Sequence, residues 1–151
     1  MEPRSANKPI YVGTDGCLEL ANRVLELSNE AREKHGLDRL RLREPLNQAA
    51  ESHSKDMLRK NYFSHTSPTP GREGVRLRVK AEGIDPVRVT EDIYQCIGYP
   101  PERVPLLAIL AWLESPRNRE AILNPRHRDV GIGVAVKGSQ VYVTQVFSGD
   151  S

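Results

Sequence analysis

Two stretches in the first half of the chain place apolar residues at spacings of three and four, which predicts two amphipathic helices. The first runs from Asp15 to about His35, and its inner face carries Leu18, Ala21, Val24, Leu25, Ser28 and Ala31. The second begins near Pro45, since proline suits the first helical position, and ends near Lys60 or Asn61. Its inner face carries Leu46, Ala49, Ala50, His53 and Met57. The link between them, LDRLRLREP, is predicted to pack its leucines against the core.

Alternating apolar residues predict a β-hairpin near the C-terminus. The stretch DVGIGVAV places Val130, Ile132, Val134 and Val136 on one face, and QVYVTQVF follows after the turn KGS. The β-branched stretch VRVTEDIYQ, residues 87–95, predicts a further strand. Between these strands the sequence predicts a helix over about Glu102 to Glu114 and a short one in RNREAILN.

The segment GREGVRLRVKAEGI, residues 71–84, fits two interpretations. Its apolar residues alternate as in a strand, but Val75 with Val79 and Leu77 with Ala81 are also helical pairs. Residues 1–14 show no periodic pattern and are predicted to form an N-terminal arm, with one domain over residues 15–151. The order of helices and strands indicates an α+β fold built in layers.

Composition excludes some classes of protein. The chain has 151 residues, of which 38% are hydrophobic, and this predicts one domain with a single core. Its longest apolar stretch, VPLLAILAWL, is too short to span a bilayer. Basic and acidic residues are interspersed along the chain and leave a net charge of +2. The cluster of Arg39, Arg41 and Arg43 is better explained by a solvated loop than by nucleic-acid binding.

Cysteine content and the start of the chain leave alternatives open. Cys17 and Cys96 are too few for a disulfide scaffold, and the sequence favours neither free thiols nor a pair. The start, MEPRSANKPIYVGTDG, has no apolar region typical of a signal peptide. The chain is therefore either cytoplasmic or a mature form with an added methionine.

His65 is the first candidate for chemistry. It lies in NYFSHTSPTPGREGV, between two hydroxyl residues and before a loop rich in proline and glycine. A histidine in this position can bind a metal, move a proton or hold a turn in place. His53 and Trp112 have simpler interpretations: we expect His53 in the core or a cleft wall with a satisfied ring nitrogen, and Trp112 in the core.

Four stretches, in this order and spacing, resemble the CAP superfamily of cysteine-rich secretory proteins, antigen 5 and pathogenesis-related proteins, and most closely its bacterial branch. They are LNQAAESHSKDMLRKNYFSHTSP, TEDI, AILAWLESPRNREAILNP, and VGIGVAV with VYVTQVF. The resemblance implies an α-β-α sandwich with a central, mainly antiparallel sheet and helices on both faces. It therefore implies that residues 71–84 contain a helix. It also implies an extracytoplasmic location, with an export signal removed, and an unknown lipid, small molecule or cell-surface protein as partner.

The resemblance also implies a cleft with two histidines and two acidic residues, which binds a divalent metal such as zinc in some members. His65 matches the first histidine, and Glu91 matches the glutamate of the Gly-Glu-Asn motif. Asn118 stands where the second histidine is expected. Ser115 stands where animal and plant members have the second acid, and Glu114 is one residue away.

His65 and Glu91 thus supply two metal donors, whereas a catalytic zinc usually has three protein ligands. We expect zinc binding to be weak or absent, no other cofactor, and no assigned catalytic residue. The His65–Glu91 pair is predicted to tie the loop after the second helix to the strand, and Tyr62 is predicted to line the cleft. The predicted function is a non-catalytic module that binds a ligand or partner; the alternative is a metal-dependent hydrolase, with protease-like activity at the cleft.

Overall fold

The structure is a computed structural model that describes residues 14–150. The predicted N-terminal arm, residues 1–14, lies outside the described residues except for Thr14. The helices are α1 (Thr14–Lys34), α2 (Glu44–Lys60), α3 (Val75–Ala81), α4 (Val104–Glu114) and α5 (Pro116–Leu123). The strands are β1 (Arg41–Leu42), β2 (Arg88–Ile97), β3 (Asp129–Lys137) and β4 (Gln140–Gly149), and a 3-10 turn at Pro101–Arg103 precedes α4.

The four strands form one sheet in the order β1-β3-β4-β2. β1 runs parallel to β3, and the other neighbours are antiparallel. Side chains from α1, α4 and α5 form the larger apolar core on one face of the sheet. Side chains from α2 and α3 form a smaller core on the other face. The chain is therefore an α-β-α sandwich with a mainly antiparallel sheet, as predicted.

Two glycines of β3 allow α2 to lie directly on the sheet. A Cβ atom at Gly131 would come within 2.1 Å of the backbone carbon of Leu46, and one at Gly133 within 2.3 Å of the Cα of Glu51. The apolar residues predicted to share a face of β3, such as Val130 and Val134, pack on the opposite side in the larger core. Because glycine alternates with β-branched residues along β3, α2 packs closely on one face of the strand, and bulky side chains fill the larger core on the other face.

The ambiguous segment contains helix α3, as the resemblance implies. The apparent alternation misleads because Leu77 is 44% exposed while Val79 is fully buried. Among the link leucines, Leu40 is buried, but the prediction that Leu42 packs into the core is wrong, since it is 48% exposed. Leu18 of α1 is exposed as well, because it and Leu42 line an open cavity of about 150 Å³ between α1 and α2.

Arg32 is a charged residue that the pattern does not place in the interior, yet it is 1% exposed. Its guanidinium donates four hydrogen bonds to backbone carbonyls. The acceptors are Asp38 at 2.7 Å, Ile122 at 2.7 Å, Asn124 at 3.0 Å and His127 at 3.3 Å. The last three bonds join the end of α1 to the last turn of α5 and to the segment that follows it.

Trp112 of α4 is buried, which confirms its predicted place in the core, and its indole N–H donates to the carbonyl of Ile93 at 2.9 Å. Across residues 14–150, none of the helices combines the length and apolar character that crossing a membrane requires.

We predict that Gly133→Ala destabilises the protein by about 3 kcal/mol or more, because the new methyl group overlaps the backbone of α2 and the layers must separate. The free energy of unfolding from urea titration measures this. Gly74→Ala is the control, since a Cβ atom there meets nothing within 4 Å and its φ is −116°. Equal losses in the two variants would contradict the account of close packing.

Candidate functional site

His65 and Glu91 meet beside the sheet. α2 ends at Lys60, and the left-handed backbone of the capping residue Asn61 (φ 57°) turns the chain into the loop of residues 61–74. His65 lies in this loop, and its Nδ1 is 2.8 Å from Oε1 of Glu91 on β2. The imidazole side chain is 56% exposed, whereas the Glu91 side chain is 2% exposed. An ionised carboxylate only accepts hydrogen bonds, so Nδ1 carries the proton and Nε2 is left with its lone pair in the neutral ring.

Arg78 of α3 is the site residue that the sequence motifs do not reveal. It is buried, and its Nη2 lies 2.8 Å and 3.0 Å from the two carboxylate oxygens of Glu91. Nη2 also donates to the carbonyl of His65 at 3.1 Å, and Nη1 donates to the carbonyls of Arg72 at 2.9 Å and Glu73 at 3.1 Å. The guanidinium therefore neutralises the carboxylate and holds the loop at three backbone positions.

The same contacts explain the ionisation of Glu91. Burial alone would raise its pKa, but the hydrogen bond from His65 and the charge of Arg78 outweigh burial and hold the pKa below its usual value. The carboxylate is thus charged at neutral pH, and both of its oxygens accept hydrogen bonds from the protein.

A second set of contacts holds the loop onto α2. The carboxylate of Asp56 accepts hydrogen bonds from the hydroxyl groups of Tyr62, Ser67 (2.7 Å) and Thr69 (3.1 Å). Burial opposes ionisation of Asp56, but these bonds lower its pKa to about 2. Tyr62, predicted to line the cleft, is half-buried and joins the loop to α2 through this bond.

His53 of α2 forms a third link. It is fully buried, as expected for a core or cleft-wall residue, and its Nε2 lies 2.8 Å from the carbonyl oxygen of Ser64. Burial lowers its pKa, so the ring is neutral at pH 7. Its Nδ1 is buried without a protein partner.

The other three predicted cleft residues lie where α4 meets α5. Asn118 is half-buried in the first turn of α5, Ser115 joins the two helices, and Glu114 is exposed at the end of α4. Within residues 14–150, no hydrogen bond or ion pair connects any of the three to His65 or Glu91. The structure thus joins His65 to Glu91, and the further charged group on that carboxylate comes from α3.

His127 and the cysteines have structural surroundings. His127 is buried and stacked on Phe147, with Nδ1 2.7 Å from the carbonyl of Ala121 and Nε2 3.0 Å from the hydroxyl of Thr90. Both ring nitrogens are therefore engaged within the core. Cys17 and Cys96 are half-buried free thiols, and burial raises the pKa of each.

The residues around Glu91 do not fit a resident divalent metal. A cation bound to this carboxylate would lie beside the buried guanidinium of Arg78, whose positive charge repels it at short range. Nowhere in residues 14–150 do three or more His, Cys, Asp or Glu side chains come together in a way that could hold an ion. The donor set is thus a histidine and a carboxylate that is already paired with a cation.

Asp92 follows Glu91 but faces the opposite layer. It is 1% exposed, and burial, reinforced by the charges of Glu91 and Glu120, raises its pKa to about 8. Its neighbour across the strands is Gln145. Oδ2 of Asp92 and Oε1 of Gln145 are both buried without a hydrogen-bond partner. A protonated Asp92 carries the O–H donor that such a pair of acceptors needs.

Residues 25–147 match the sequence model of the cysteine-rich secretory protein family, CAP. The match covers most of the chain and includes the loop, β2 and the hairpin. The chain belongs to this family.

Individual relatives agree with this assignment. YkwD, an uncharacterized protein of Bacillus subtilis, is 36% identical over 117 residues, which are 78% of this chain and 43% of YkwD. An extracellular SCP-domain protein of Bacillus anthracis has a similar structure, with a TM-score of 0.73 and 26% identity over 99% of this chain and 44% of that one. An outer surface protein of Borrelia burgdorferi shares the fold, with a TM-score of 0.74 and 19% identity over 88% of this chain and 94% of that one. The chain thus spans less than half of the first two proteins.

We predict that Arg78→Met destabilises the protein by about 3–5 kcal/mol, because it leaves the Glu91 carboxylate buried beside an apolar group. Chemical denaturation at pH 7 measures the loss. Lys80→Met is the control, since Lys80 is exposed on the same helix. The double variant Arg78→Met with Glu91→Gln is expected to recover part of the loss. An Arg78→Met variant as stable as the control would contradict the role given to the ion pair.

We predict that Asp92→Asn stabilises the protein by at least about 1 kcal/mol at pH 7. The unfolded aspartate ionises near its usual pKa of 3.8 while the folded one stays protonated to about 8, so the folded state binds the extra proton in this window and stability falls as pH rises through it. Urea titrations across this pH range measure the slope, which the variant is expected to flatten. Asp38→Asn, at a side chain that is 91% exposed, is the control. An unchanged slope in Asp92→Asn would show that Asp92 is ionised in the folded protein.

Proposed function

We propose that this chain is an extracytoplasmic CAP module that binds a ligand or partner at its cleft, without a metal and without catalysing a reaction. The observation that carries the proposal is the pairing of Glu91 with Arg78 and His65. These contacts use the charge and both oxygens of the carboxylate to hold the loop of residues 61–74. A group held in this way contributes to the shape of the cleft rather than to a metal site.

The contacts beneath the loop support a binding role. The loop is held by Arg78, by Asp56 and by His53, so its outer residues are presented on a well-anchored backbone. Phe63 in this loop is 43% exposed, and the ring of His65 is exposed nearby in the sequence. An exposed aromatic side chain on an anchored loop is typical of a contact for a protein, lipid or small-molecule partner.

The extracytoplasmic location is supported by the relatives. One protein of similar structure is described as extracellular and another as an outer surface protein. Because the chain spans 43% of YkwD, the activity and partners of a longer protein would include contributions from its other segments.

The alternative function, a metal-dependent hydrolase, has one observation in its favour. A buried carboxylate orients Nδ1 of His65 while Nε2 belongs to a half-exposed ring, and general bases have this arrangement. However, a metal-dependent mechanism needs a tightly bound ion, and the guanidinium of Arg78 would repel a cation at Glu91. Zinc affinity therefore separates the two functions.

We predict that zinc titrated into the protein at pH 7 gives no saturable, stoichiometric heat in the micromolar range by calorimetry, because the site offers two donors and one is paired with a guanidinium. His65→Ala is expected to leave the weak residual heat unchanged, as is the control His35→Ala at the end of α1. Tight one-to-one binding that is lost in His65→Ala and kept in His35→Ala would overturn the proposal and favour the hydrolase.

A further inference from the structure

We propose that a second cavity, next to the cleft, binds a small phosphate-type oxyanion. The cavity has a volume of about 140 Å³ and lies between the last turns of α2 and the loop, and Arg78, the partner of Glu91, is part of its lining. Its lining consists of Ser52, His53, Asp56, Arg59, Lys60, Ser67, Thr69, Arg72 and Arg78. One water occupies roughly 30 Å³ of liquid, so the space accommodates a small anion with some of its water.

The charge of the lining favours an anion. Four of the lining residues are Arg or Lys, and Asp56 is the one carboxylate among them. Asp56 already accepts three hydroxyl hydrogen bonds and has Lys60 at 3.5 Å, so its charge is compensated locally. The charge of Arg78 is likewise compensated by Glu91, which lies outside the cavity lining. Arg72 is paired with Glu82 at 3.4 Å, so the excess positive charge left to a ligand comes from Arg59, and Arg72 adds N–H donors.

Both of these arginines have donors to offer. Arg59 is exposed, and within residues 14–150 it makes no hydrogen bond or ion pair. Arg72 uses Nη2 to donate to the hydroxyl of Ser52 at 2.7 Å and to reach Glu82 at 3.4 Å. Its other N–H groups remain for a ligand, and a guanidinium presents them in the planar arrangement that matches two oxygens of a phosphate.

The wall itself holds unused hydrogen-bonding capacity. Nε of Arg78 is buried without a protein partner. Arg78 is 1% exposed, and a buried N–H without an acceptor is costly enough that native proteins usually satisfy it. The guanidinium that lines the cavity thus keeps one N–H without an acceptor, and the positive end of that bond favours negative charge nearby.

The simpler explanation is that Arg59 and Lys60 only balance the negative end of the α2 dipole. That explanation does not account for Arg72, which comes from the loop and donates to Ser52, more than two turns before the end of the helix. It also does not account for the unpaired nitrogen of Arg78. A role limited to the helix dipole predicts no saturable anion binding.

The test is calorimetric titration of inorganic phosphate at low ionic strength, with the amide signals of Ser67 and Thr69 followed by NMR. We expect saturable one-site binding in the millimolar range or tighter, and glycerol phosphate in a parallel titration tells whether a free ion or a monoester fits better. Arg72→Gln and Arg59→Gln are each expected to weaken binding about tenfold, the loss of one charge-assisted contact. Arg23→Gln, an exposed arginine on α1 in the other layer, is the control and is expected to bind like the original chain.

No saturable binding of either phosphate compound would overturn the proposal, as would an equal loss in Arg23→Gln, which would indicate non-specific attraction. Arg72→Gln removes a bond to Ser52, so its thermal midpoint is compared without phosphate. If that variant is unstable, Arg59→Gln decides, since within residues 14–150 Arg59 makes no hydrogen bond or ion pair whose loss would disturb the fold. The result is independent of the zinc titration: phosphate binding can fail while the cleft still lacks a metal, and the reverse also holds.

Discussion

The ion pair between Arg78 and Glu91 is the interaction on which this face of the molecule depends. A charged carboxylate inside a protein is costly unless a cation and hydrogen bonds compensate it, and here one guanidinium and one imidazole do so. The same guanidinium binds the carbonyls of His65, Arg72 and Glu73. One buried pair therefore ties α3 and the loop between α2 and α3 to β2.

The close contact of α2 with β3 supplies the base for that arrangement. Because Gly131 and Gly133 present no side chain, the helix backbone reaches the sheet, and His53 and Asp56 on α2 lie beneath the loop. His53 and Asp56 bind the loop at Ser64 and Ser67, and Arg78 binds it at the carbonyl of His65. Arg78, which pairs with Glu91, also lines the cavity between α2 and the loop.

Local pattern is enough to predict the hairpin, the two long helices and the layered architecture, because each of these buries a stripe or a face with a regular period. It fails where the outcome depends on distant partners. β1 has two residues and exists only through its pairing with β3. Of the site, the motifs supply His65 and Glu91. The motifs do not identify Arg78, because an arginine in a short helix is usually a surface residue. Its burial becomes evident only when the fold brings it to Glu91, thirteen positions later in the sequence.

Arg32 joins parts of the chain that are far apart in the sequence. Its guanidinium is buried against carbonyls that lie 90 to 95 positions further along, and until those carbonyls are in place the first helix carries a charge with nothing to solvate it but water. Three of its four acceptors thus come from backbone near the other end of the sequence. A chain that ends before Ile122 would lack these three carbonyls, and its first helix would have to bury a charge that nothing in the protein solvates.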